Sequence, residues 1–76
     1  MEELVKVIAH ALVDNPGAVQ VTRREDESQI TLELRVAPED MGKVIGKQGR
    51  IARAIRTVVR AATTYGQKKV TVDIVD

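Results

Sequence analysis

The sequence predicts a single α+β domain over residues 1–76 with the element order α-β-β-α-α-β. Three observations carry this. Apolar residues recur at helical spacing near the start and again between residues 51 and 62; other segments alternate apolar and polar side chains; and proline or glycine stands at most of the joins. Leu4/Val5, Ile8 and Leu12, widened by Val7 and Ala11, predict a helix over residues 2–13, which Asp14-Asn15-Pro16-Gly17 stops. Val19 and Val21 alternate with Gln20 and Thr22 in a short strand leading into Arg23-Arg24. Glu25-Asp26-Glu27-Ser28 then turns the chain, as in a hairpin, into a strand from Ile30 to Val36. Ala37-Pro38-Glu39-Asp40 has the proline and acids of a helix start, and that helix lasts about two turns before Gly46. A second helix follows Gly49 and runs to about Thr64. Tyr65-Gly66-Gln67 ends it, and Val70, Val72 and Ile74 form a last strand. On the second helix Ile51, Ala54, Ile55, Val58, Val59 and Ala62 fall within an arc of roughly 140°, which is expected to face the core.

Composition excludes several classes of function. At 76 residues the chain has one thin core and no room for an enclosed active site. It has no Cys, one His (His10) and one Ser (Ser28), too few for a nucleophile, base and orienting group, and no thiolate zinc site. The expectation is a non-enzyme without metal or cofactor, with His10 on the surface. The single aromatic residue, Tyr65, provides no platform for stacking bases. No apolar run approaches the roughly 18 residues of a membrane span, and Met1-Glu2-Glu3 is unlike a secretory leader, so the chain reads as soluble and cytoplasmic.

The net charge of +1 conceals a division. Residues 1–40 hold nine acids and four bases, whereas residues 41–76 hold eight bases and only Asp73 and Asp76, and no acid lies between Met41 and Val72. Solvated helix faces usually mix signs, so a one-signed run points to a polyanion.

That run contains Gly42-Lys43-Val44-Ile45-Gly46-Lys47-Gln48-Gly49-Arg50-Ile51. Glycine costs about 1 kcal/mol inside a helix, so a pair between helices needs a reason. A helix–turn–helix corner accounts for Gly46. Both glycines are expected to let backbone approach backbone, with Gly49 opening a helix whose first amides are unpaired and attract phosphate. The spacing fits neither a Walker A loop nor a dinucleotide fingerprint.

Helix–Gly-Lys-Gln-Gly–helix, with Val44-Ile45 before it and flanking strands, resembles the KH domain. The element order is that of its type II form, with a three-stranded mixed sheet packed on three helices. The stretch Gly42–Arg50 followed by Ile51-Ala52 is further similar to the small bacterial single-KH RNA-binding proteins of the KhpA type. The resemblance implies a clamp on single-stranded RNA formed by Gly46, Lys47, Gln48 and Gly49. It places Lys43 and Arg50 as nearby phosphate contacts and Ile45 and Ile51 as apolar groove or support positions. Many KH domains have Ile three positions after the second glycine; here stands Ala52, and Ile51 takes over its packing. Arg53, Arg56 and Arg60 either extend the phosphate track or meet a protein, and Arg53 is counted with the RNA-facing set. By alternation Leu34 and Val36 belong to the core. Lys68-Lys69 blunt the start of the last strand.

The resemblance also implies an RNA-chaperone or post-transcriptional role, a homodimer, and a complex with a second KH-containing protein of the KhpB (Jag or EloR) type. It implies a link to cell-wall synthesis, division and cell length. The alternative is a protein-interaction subunit whose partner holds most of the RNA.

Overall fold

The computed structural model of the chain describes residues 1–62 and 68–75. Helix α1 (Glu2–Leu12) precedes strands β1 (Gln20–Glu25) and β2 (Gln29–Arg35). Helices α2 (Met41–Ile45) and α3 (Arg50–Ala62) follow, and then β3 (Lys69–Val75). One-turn 3₁₀ segments at Pro16–Ala18, Pro38–Asp40 and Lys47–Gly49 lead into β1, α2 and α3. The predicted end of the second helix near Thr64 and the turn at Tyr65-Gly66-Gln67 lie outside the described residues. The sheet order is β1-β2-β3, antiparallel between β1 and β2 and parallel between β2 and β3.

Register explains the core. Ile30, Leu32 and Leu34 sit opposite Val70, Val72 and Ile74, so one face of the two strands is uninterrupted aliphatic surface. Val5 and Ala9 of α1, Val44 of α2, and Ile55 and Val59 of α3 close over Leu32, Leu34, Val36 and Val72. Leu34 and Val36 are buried, as alternation predicts, and Val36 lies just past the end of β2.

Strand β1 differs from expectation. It runs through Arg23 and Arg24, into which the expected strand leads, and through Glu25, which the sequence places in the turn. Arg23 pairs across from Leu32 and Glu25 from Ile30, so both stand on the sheet face that carries the core. There Arg23 reaches Glu25 at 2.7 Å and Glu2 of α1 at 3.4 Å, while Lys68 pairs with Glu25. The hairpin turn is held by Asp26 Oδ1, which accepts the amides of Ser28 and Gln29 at 2.8 Å each. Lys68 thus ties the entry to β3 back to β1, beyond blunting a strand.

The apolar arc of α3 is only half used by the core. Within it Ile55 and Val59 are buried and Ile51 is half-buried, but Ala54 and Ala62 are exposed and Val58 is 46% exposed; Ala52, which lies outside the arc, is buried instead. The sheet and α1 cover one flank of the helix. The other flank opens on a groove of about 330 Å³ walled by Ile8 and Leu12 of α1 and Ile51, Ala54 and Val58 of α3.

Candidate nucleic-acid interface

Helix α2 carries the loop out from the core on Val44, which is fully buried. It ends at Gly46, whose N–H donates to the Gly42 carbonyl at 2.9 Å. Gly46 and Gly49 have φ of 75° and 74°, and Gln48 between them has φ of 59°, so three of the four loop residues have positive φ. The two glycines are needed for different reasons. A Cβ on Gly46 would lie 2.6 Å from Ile51 Cγ1 and 2.9 Å from the Ile51 amide nitrogen, whereas one on Gly49 meets nothing within 4 Å. The expected close approach of backbone therefore occurs at Gly46 alone, and Gly49 supplies only its conformation.

The amides also differ from expectation. Helical hydrogen bonding begins at Lys47, not after Gly49: the Gly49 N–H donates to the Gly46 carbonyl at 3.1 Å and the Arg50 N–H to that of Lys47. The amides of Lys47 and Gln48, which open the turn, have no acceptor within it. The backbone donors available to an anion thus sit inside the loop.

Ile45, the last residue of α2, is 36% exposed beside this turn. Ile51 is half-buried against Gly46, whereas Ala52 itself is buried at 6% exposure. Lys47, Arg50 and Arg53 are exposed. Among the described residues Lys47 and Arg53 have no side-chain hydrogen bond or ion pair, and Arg50 makes only a 3.4 Å contact with Gln48 Oε1. Arg50 and Arg53 occupy the first turn of α3, which has no acid, so cations stand at the positive end of the helix dipole. That is the reverse of what stabilises a helix, and an anion bound there would offset it.

The other bases are placed differently. Arg56 turns to the sheet edge, where its Nε donates to the Val72 carbonyl of β3 at 3.0 Å. Lys43 is held by the carboxylates of Asp14 and Asp40, the second at 3.5 Å. The Asp14 hydrogen bond raises the Lys43 pKa above its ordinary value, partly opposed by desolvation. Asp40 is 0% exposed and accepts the backbone amides of Asn15 at 3.0 Å and Asp14 at 3.3 Å. Burial pushes the Asp40 carboxyl up, but those two amides and Lys43 outweigh it and leave its pKa below the usual carboxylate range. Sequence reasoning placed Asp40 merely in a helix's first turn; its partners lie 25 and 26 residues away, a contact that local pattern does not carry. His10 is exposed, and no group of three or more metal-ligating side chains occurs among the described residues. Nor is any described helix long and apolar enough to cross a membrane.

A mixed three-stranded sheet under three helices in this order, with a glycine-bounded loop joining the second and third, defines a type II KH domain. The chain belongs to the KhpA/KhpB KH-domain family, whose model matches residues 2–74. It is 63% identical to the RNA-binding protein KhpA of Caldanaerobacter subterraneus subsp. tengcongensis over 75 residues, 99% of this chain and all of that protein. It is 61% identical to the RNA-binding protein KhpA of Clostridium perfringens over the same shares. For the RNA-binding protein KhpA of Halalkalibacterium halodurans the figure is 53% over the whole of both chains. Among solved structures, Era of Aquifex aeolicus bound to GDP and aluminium fluoride shares the fold with a TM-score of 0.71 and 20% identity, over 96% of this chain and 28% of that one.

Proposed function

We propose that the chain binds single-stranded RNA in the cytoplasm, gripping its sugar–phosphate backbone at Gly46–Gly49, with Lys47, Arg50 and Arg53 as phosphate contacts and Ile45 as an apolar contact. The observation that carries this is the loop itself: three residues of positive φ, two amides without an acceptor in its turn and uncompensated cations in one place. The names of the relatives support the ligand class. The family resemblance adds an RNA-chaperone or post-transcriptional role, a partner of the KhpB type, and service in cell-wall synthesis, division and cell length.

Gly49 offers a clean test, because a side chain there meets open space and asparagine and aspartate tolerate a left-handed φ. In salt-titrated binding of a short single-stranded RNA, Gly49→Asn is expected to stay within about threefold of wild type. Gly49→Asp, of the same size but negative, should lose tenfold or more, and its log K against log salt should flatten. Equal affinities for the two variants, or no wild-type binding, would sink the proposal.

The groove between α1 and α3 favours a second reading in which two KH surfaces pair. One KH loop clamps only about four nucleotides, so pairing raises avidity. Val58 stands 46% exposed in that groove, where a second copy or a KhpB-type domain would bury it. Sedimentation of the wild type at tens of micromolar is expected to show a dimer, and Val58→Lys a folded monomer. A wild-type monomer, or a Val58→Lys dimer, counts against it.

A further inference from the structure

Lys43 stands three residues before Gly46 in sequence, yet its ammonium lies at the other end of α2. Helical side chains lean toward the N-terminus. Lys43 accordingly reaches back to Asp40, which immediately precedes the helix, while the glycine loop follows it. Asp14 meets both: its backbone N–H donates to Asp40 Oδ1 at 3.3 Å, and its carboxylate accepts from the Lys43 ammonium. Asp14, Asp40 and Lys43 therefore form a closed ring, with the Asn15 amide as a second donor to its buried carboxylate. A closed set of charge-assisted bonds holds each member in place more firmly than the pairs taken singly. Recruiting Lys43 to a phosphate at the loop would break two ion pairs at once. Lys47 and Arg53 have nothing to break.

We infer that Lys43 is a positioning residue, which with Asp14 and Asp40 fixes the α1–β1 connection against the helix carrying the loop. The phosphate track then consists of Lys47, Arg50 and Arg53 without Lys43. The second half rests on the RNA-binding proposal; the first does not.

The test has two arms. In salt titrations with a short single-stranded RNA, Lys47→Ala and Arg53→Ala are each expected to reduce the slope of log K against log salt by about 0.7, one contact on a single strand. Lys43→Met should leave that slope unchanged and shift affinity less than about twofold at physiological salt. In thermal unfolding, Lys43→Met and Asp14→Asn should each lower the melting temperature by about 2–5 °C, and the double variant scarcely further. A slope loss for Lys43→Met equal to that of Lys47→Ala overturns the track, and additive thermal losses overturn the ring. A wild type that binds no RNA overturns the RNA proposal and the track with it, while the thermal arm still judges the ring.

Discussion

Asp40→Ala is expected to lower the melting temperature by about 10 °C or more, a larger loss than any other single charge removal among the described residues. The carboxylate is fully buried and is the acceptor for two backbone amides and a partner of Lys43. Truncation orphans both amides and leaves Lys43 with Asp14 alone, and the cost of an unmade buried bond exceeds the net gain of a made one. A domain of this size loses several degrees per unit of such cost. Asp14→Asn keeps its own amide bond to Asp40 and should cost much less. The contact also predicts a pH dependence. Because the folded Asp40 pKa lies below that of the unfolded chain, the stability it adds is complete above the usual carboxylate range and is lost as pH falls through the folded pKa. Glu25, held by Lys68 and Arg23, and Asp26, held by the Ser28 and Gln29 amides, are lowered in the same way. Melting temperature should therefore fall steeply below about pH 4, and more shallowly in Asp40→Ala. Thermal scans from pH 2 to 7 check both, and parallel profiles for the two chains would refute the assignment.

The element order and the loop were legible because both write themselves locally: period-two and helical spacings mark the elements, and paired glycines mark a turn between helices. What escaped was set by distance or by chemistry without a sequence signature. Arg23 and Glu25 do not alternate with polar neighbours, since on the core-side face of β1 the aliphatic residues give way to an ion network with Glu2 and Lys68. Gln48 has no local signal for φ of 59°; glycine, asparagine and aspartate are the residues that announce it. The apolar arc of α3 reads the same whether its far flank is covered or open, so only the position of α1 reveals the groove at Val58.

The charge division has a physical resolution in the fold. The acidic first half supplies Asp14, Asp40 and Glu25, which take up Lys43 and Lys68 from the basic second half. Subtracting these leaves six cations, of which Lys47, Arg50 and Arg53 stand around a loop whose first amides have no acceptor in its turn, so half of the remaining positive charge lies where the backbone is also a donor. A uniformly basic helix would attract a polyanion anywhere along its face; this arrangement favours one end of it.

Gly46→Ala is expected to destabilise the fold by about 2–6 kcal/mol, against about 1–2 kcal/mol for Gly49→Ala. Positive φ costs an alanine roughly 1–2 kcal/mol at Gly49 and about 1–3 kcal/mol at Gly46, whose ψ of 171° puts it in a region kept essentially for glycine. Only at Gly46 does the new methyl also collide, at 2.9 Å from both Ile51 Cβ and the Ile51 amide nitrogen. Those atoms belong to the first turn of α3 and cannot swing aside as a side-chain tip would, so the helix must move or the loop unwind, adding overpacking of about 1–3 kcal/mol. Domains of this length have only about 4–11 kcal/mol in total, so Gly46→Ala forfeits a large share. Urea denaturation of the two variants measures the difference directly, and equal losses would show that close packing on Ile51 does not set the loop. The same asymmetry decides how the loop is to be probed for binding. A charge placed at Gly46 disrupts the fold before it repels a phosphate, whereas one placed at Gly49 faces open space and tests the electrostatics alone.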